Sequence, residues 1–180
     1  MAMRHIVPVA LAAVAMLAAA SPGDAQTRSS RMKGLALNNN QPIQIESDNL
    51  EIREQEKRAL FNGSVRVVQG TTTLQAAKMI VYYKGGEGAI SNGNSDIDRI
   101  EVEGNVSLVS GTQSARGETG FFDMDGQKLE LKGKQVVLAD GSNVFTGCKL
   151  TVFMTSGEAK LDSCGGRVRI QLDPKSRKSN

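Results

Sequence analysis

Between Pro42 and Pro174 the chain has no proline and seventeen of its 19 glycines. Proline removes a ladder donor from a paired strand, whereas glycine serves turns and bulges. Over the same span apolar and polar residues alternate with period two, with glycine or polar clusters breaking the run roughly every eight to twelve residues. The clearest stretch is Ile43-Gln44-Ile45-Glu46-Ser47-Asp48-Asn49-Leu50-Glu51-Ile52, then Ala59 to Gly70 and Thr73-Leu74-Gln75-Ala76. Leu74 to Tyr83 comes nearest to a helical period, and its β-branched and aromatic end favours a strand.

The candidate strands are Ile43–Glu46, Leu50–Arg53, Ala59–Phe61, Val65–Val68, Leu74–Ala76 and Met79–Tyr83. After a Gly/Ser/Asn-rich break at Lys84–Asp96, read as a surface loop, come Arg99–Val102, Val106–Val109, Gly120–Asp123, Leu129–Leu131 and Val136–Leu138. Val144–Phe145, Leu150–Met154, Ala159–Leu161 and Val168–Leu172 complete the set. A unit recurs: Phe61-Asn62-Gly63-Ser64-Val65 is echoed by Val102-Glu103-Gly104-Asn105-Val106 and by Leu131-Lys132-Gly133-Lys134-Gln135-Val136. Each unit exposes one apolar face that must lie over its neighbour's, and glycine at the corner lets the chain bend between sheets. The expected fold is an all-β, antiparallel, slightly open jelly roll. Its two ends, near Ile43 and Leu172, offer unpaired backbone groups to another chain.

Residues 1–25 read as a secretory signal: Arg4 and His5, a fifteen-residue apolar run from Ile6 to Ala20, and small residues before Gln26. The run is short for a membrane span, and cleavage after Ala20 is the alternative. No cysteine follows it to carry a lipid. In a Gram-negative bacterium such export leads to the periplasm. Residues 26–41 read as a flexible leader, 42–173 as one domain and 174–180 as a basic disordered tail.

Losing the signal would remove the only histidine, and the chain has no tryptophan and two cysteines. Ser-His-Asp and Cys-His nucleophiles and histidine-based zinc sites are thereby excluded, and no enzymatic activity or cofactor is expected. The net charge of +3 is spread along the strands, giving no basic block for nucleic acid. Asp123-Met124-Asp125-Gly126 opens like a calcium loop but lacks the remaining ligands, which favours a tight turn. Arg66, Arg99, Arg167 and Arg169 fall at outward positions, where solvated side chains are expected unless a lipid phosphate lies near. If Thr155-Ser156-Gly157 turns a hairpin with Met154 facing Glu158, Cys148 and Cys164 lie directly opposite. A structural disulfide is then expected, with two free thiols as the alternative.

Gln41-Pro42-Ile43-Gln44-Ile45-Glu46-Ser47-Asp48, Phe61-Asn62-Gly63-Ser64-Val65, Gln69-Gly70-Thr71 and Leu74-Gln75-Ala76 closely resemble the OstA-like family. The likeness extends through Ala115–Asp123, Leu129–Leu138 and Arg167–Leu172. It implies a non-enzymatic bridge across the periplasm that binds lipopolysaccharide, with lipid A acyl chains sliding along the apolar interior. Copies of the domain, and similar domains of inner-membrane and outer-membrane partners, would join head to tail by strand addition. The inward-facing set includes Ile43, Ile45, Val65, Val106, Phe122 and Met124, which become the lipid-binding candidates. By resemblance Ile43 matches a groove mouth, and Val106, Phe122 and Met124 match interior positions. Aliphatic chains need only apolar surface, at roughly 0.8 kcal/mol per buried CH₂, so an acyl groove and a closed core read alike. The competing reading is a structural or adhesive β-repeat that binds protein or glycan and carries no lipid.

Overall fold

A computed structural model describes residues 40–85 and 96–174, together with Leu35 and Leu37. The expected signal, the tail beyond Pro174 and most of the Lys84–Asp96 loop lie outside the described residues. Ten strands form one antiparallel sheet: β1 (Gln44–Glu46), β2 (Asn49–Arg53), β3 (Arg58–Gln69), β4 (Thr72–Tyr83), β5 (Ile97–Ser110), β6 (Gln113–Asp123), β7 (Lys128–Asp140), β8 (Asn143–Phe153), β9 (Glu158–Asp162) and β10 (Arg169–Gln171). From β3 to β8 each strand pairs with the next. β1 and β2 share β3 at one edge, and β9 and β10 share β8 at the other.

Each long strand pair breaks register near its middle, for example between Asn62 and Val65 on β3 and between Lys132 and Val136 on β7. These bulges line up across the sheet and crease it into two half-sheets. The first holds β1, β10 and the hairpins at Gly70, Gly111 and Gly141. The second holds β2, β9 and the turns after Asp123 and Phe153. The three hairpins have two-residue loops with glycine first at φ +57°, the place a type II′ turn reserves for it. One apolar cluster draws on both halves, including Val67, Leu74 and Leu108 from the first and Met79, Phe122 and Leu129 from the second. The two inner faces therefore pack against each other as a slightly open jelly roll.

The recurrent glycine unit marks the crease. Gly63-Ser64 and Gly104-Asn105 both have positive φ, 77° and 46° in the first pair, 79° and 51° in the second. A Cβ on Gly104 would stand 2.7 Å from that of Ala77, so the corner needs glycine for space as well as for torsion.

Several short strands expected from the sequence are halves of one long strand. Ala59–Phe61 and Val65–Val68 both belong to β3, and Leu74–Ala76 and Met79–Tyr83 to β4. The reason is visible in β4: Leu74 and Ala76 face inward before the crease, Met79 and Val81 after it, so the alternation changes parity and reads as a break. Gln113–Thr119, the first half of β6, was not expected as strand because Ala115 is its only large-enough inward apolar signal. The segment read as a flexible leader contributes Leu35 and Leu37 to the core, 0% and 1% exposed.

Candidate functional site

Because paired residues share a face, the sheet register draws continuous rows across the interior. In the second half-sheet one row runs Leu50–Phe61–Met79–Val102–Gly120–Leu131–Leu150–Leu161, and the next Ile52–Ala59–Val81–Ile100–Phe122–Leu129–Val152–Ala159. In the first half-sheet Ile45, Val67, Leu74, Leu108, Ala115, Leu138, Phe145 and Ile170 form the matching row. No charged side chain interrupts any of the three.

Burial along the rows is graded. The central members are buried. Of the terminal ones, Leu50, Ile52 and Ile170 are 50%, 40% and 59% exposed, whereas Ile45 and Leu161 are half-buried against the cluster. The interior is thus a packed apolar strip running across the strands, with exposed apolar side chains at both sheet edges. Its middle is closely packed. A Cβ on Gly120 would lie 2.7 Å from Val102 Cγ2 and 2.9 Å from Leu131 Cδ2.

The sequence-predicted site residues all join this interior. Val65, Val106, Phe122 and Met124 are buried members of the cluster, and Ile43 and Ile45 pack against it half-buried beside the β1 edge. Leu35 and Leu37 were missed. Their spacing, Leu35-Ala36-Leu37, is the same two-residue alternation, obscured by the polar residues on both sides.

Charge is kept outside. Glu130, on the outer face, lies 3.3 Å from Lys149, 3.4 Å from Lys132 and 3.5 Å from Lys128. Burial alone would raise its carboxyl, but the Lys149 hydrogen bond and the three positive charges outweigh burial and hold it below the usual carboxylate range. Arg99 stacks on Tyr82, 3.7 Å from the ring centroid, and pairs with Asp98 and Glu101. Arg66 pairs with Glu46. Arg167 and Arg169 are exposed beside the β10 edge, with no ion pair among the described residues. Asp123 serves its turn, accepting the Gly126 N–H at 2.7 Å, and Asp125 pairs with Lys84.

Cys148 and Cys164 are joined by a disulfide, with Cα atoms 5.9 Å apart. The register differs by one residue from the expected one: Phe153, not Met154, faces Glu158, and Lys149 faces Asp162. The turn has four residues, Met154 to Gly157. Cys164 lies beyond the end of β9 and has a left-handed φ of 47°.

The family model described as LptA/(LptD N-terminal domain) LPS transport protein matches residues 44–158, well over half of the chain. The chain belongs to this OstA-like family of lipopolysaccharide-transport proteins. An uncharacterized protein of Rhizobium meliloti (strain 1021) is 61% identical over 161 residues, covering 89% of this chain and 87% of that protein. A shorter uncharacterized protein of Rhizobium etli is 73% identical over 44 residues, 24% of this chain and 82% of its own length. The crystal structure of LptH, the LptA-homologous periplasmic component of the lipopolysaccharide transport device of Pseudomonas aeruginosa, shares the fold. It has a TM-score of 0.63 at 17% identity and covers 76% of this chain and 99% of that one. Membership in the family makes this a transport-related protein, and the continuous rows are its most distinctive internal feature.

Proposed function

We propose that this protein is an exported, periplasmic, non-enzymatic carrier that moves lipopolysaccharide between the inner and outer membranes along its apolar interior. The observation that carries the reading is the set of uninterrupted rows, buried at the centre, with Leu50 and Ile52 exposed at one edge and Ile170 at the other. Sheet edges are commonly blunted by charged side chains, proline or a covering loop. Here the ends stay apolar, so an acyl chain leaving one copy meets apolar surface on the next. Each CH₂ kept from water is worth about 0.8 kcal/mol, so a continuous path avoids a large barrier at the junction.

The same edges supply the joints. β1–β2 and β9–β10 present outward backbone groups to a second copy or to the similar domain of an inner-membrane or outer-membrane partner. Head-to-tail pairing would extend all three rows. Ile43, Ile45, Val65, Val106, Phe122 and Met124 are the lipid-contacting residues in this account. Ile43→Glu, beside the β1 edge, should weaken both lipid binding and end-to-end contact with little loss of fold.

A structural or adhesive β-repeat is the rival, favoured by the close packing around Gly120. Lipid mass spectrometry on the purified protein separates the two. Co-purifying lipopolysaccharide together with concentration-dependent assembly supports the carrier. Protein free of lipid, and unable to take up lipid A when it is offered, refutes it.

A further inference from the structure

The outer faces of the two sheet edges carry charge, while the inward rows end there in apolar side chains. On β2, Glu51 and Arg53 alternate with Leu50 and Ile52, and on β9, Glu158 and Lys160 alternate with Ala159 and Leu161. In the first half-sheet Glu46 on β1 and Arg169 on β10 take the equivalent places beside Ile45 and Ile170. Within one copy several of these charges have partners: Arg53 with Glu51 at 2.7 Å, Lys160 with Asp162 at 3.1 Å and Glu46 with Arg66 at 3.7 Å. Their side chains still face water, 51% exposed for Glu51 and 70% for Lys160. Strands β3 to β8 alternate in direction between the two edges. A second copy that continues the sheet therefore brings its β9 and β10 antiparallel to β2 and β1 of the first.

Resting on the head-to-tail reading above, we infer that each edge takes a second copy of this chain, and that Glu51, Arg53, Glu158 and Lys160 fix the register in which it pairs. Continuing the inward rows across the joint sets Leu50 opposite Leu161 and Ile52 opposite Ala159. The same step sets Glu51 opposite Lys160 and Arg53 opposite Glu158, two opposite-charge pairs on the outer face. In the first half-sheet Ile45 meets Ile170, and Glu46 then falls between Arg66 of its own copy and Arg169 of the next. The apolar rows do not choose this register by themselves, because a slip of two residues keeps every side chain on its face. Charge does choose. A slip one way sets Glu51 against Asp162 and Arg53 against Lys160, and a slip the other way sets Glu51 against Glu158. Opposite charges directly across a strand pair are favourable and like charges destabilising. The row-continuing register alone of these three has no like charges face to face, so the wrong registers are rejected by repulsion.

The test compares the folded parent with two charge-reversed variants, Glu51→Lys/Arg53→Glu and Glu158→Lys/Lys160→Glu. Assembly is read by sedimentation velocity and folding by circular dichroism. Each variant alone meets like charges at the joint and should assemble about tenfold more weakly than the parent, since two attractive pairs become repulsive. An equimolar mixture should recover the parent's assembly: the reversed β2 of one variant fits the reversed β9 of the other, and their unaltered edges fit as before. The parent gives an independent reading, because its assembly should weaken as salt rises from about 0.05 to 0.5 M and screens the exposed pairs. Variants that assemble like the parent, a mixture no better than its components, or parent assembly indifferent to salt would overturn the register while leaving head-to-tail joining intact. A parent that stays monomeric at every concentration would remove the second copy as occupant, and the head-to-tail reading would fall with the register.

Discussion

The two edges of the sheet solve one problem in different ways. At each edge the chain must cross the crease, from β1 to β2 at the start and from β9 to β10 at the end. At the first edge the crossing takes two residues and is held by hydrogen bonds: the Asp48 N–H donates to the Gly63 carbonyl at 3.0 Å, and Ser64 Oγ donates to the Asp48 carboxylate at 3.0 Å. The kink in the edge chain is pinned directly onto the Gly63-Ser64 bulge of β3. At the second edge the crossing spans Ser163 to Val168, and a disulfide from Cys164 to Cys148 holds it. Gly147 beside it allows the close approach, because a Cβ there would sit 2.6 Å from the Asp162 carbonyl. A short crossing needs only polar pinning, whereas a long one carries more chain entropy and is tied covalently.

The largest expected effect comes from removing that tie. Cys148→Ser/Cys164→Ser should lower stability by about 3 kcal/mol, the loop-closure value for a crosslink spanning about fifteen residues, as read by denaturant unfolding. Hydrogen exchange should then show β10 opening first while β1 and β2 keep their protection. Uniform loss across both edges would break the contrast.

Asp48→Ala is the counterpart at the other edge. It removes one side-chain hydrogen bond, so about 1 kcal/mol is expected, with exchange rising at β1 and β2 and unchanged at β10. Equal fraying at both edges would show that the crossings are coupled through the sheet.

Glu130→Gln touches neither edge and sharpens the contrast with the middle. The folded carboxyl is held below its ordinary value, so its stabilisation is complete above the unfolded value of about 4.3. It is lost as pH falls through the lower folded value. The variant should be less stable than the parent at neutral pH and converge with it in acid. A constant difference across that range would rule out the lysine cluster as the cause.

The smallest effect belongs to Tyr83→Phe. The Tyr83 hydroxyl has no hydrogen-bond partner among the described residues, and desolvation, helped by Glu54, raises its pKa. Melting temperature should stay level or rise slightly, and a clear fall would reveal a partner for the hydroxyl.

The inward faces were legible in the sequence because period-two alternation reports burial directly. Phe122 and Val106 needed no structure to be placed inside. Strand continuity was not legible, since a bulge at Ala77 or Lys134 shifts parity and imitates a turn. The pairing of Cys148 with Cys164 rested on a register that is one residue out, and the longer Met154–Gly157 turn absorbs the difference. Leu35 and Leu37 escaped because a single two-residue alternation in a polar setting is too short to read as a strand. Their burial is a tertiary fact. The ends near Ile43 and Leu172 were expected from the sequence, but Leu50 and Ile170 alternate like any core residue, and only sheet order reveals that their side chains are terminal.

Phe121 and Phe122 offer the most direct test of the central claim that lipid travels inside. They are adjacent and chemically identical, yet Phe122 is buried in the interior row while Phe121 pairs with Glu130 on the outer face. A photo-reactive phenylalanine analogue placed at each position in turn, with lipopolysaccharide supplied, should crosslink lipid at 122 and not at 121. Crosslinking at 121 alone, or at neither position, would contradict an interior path.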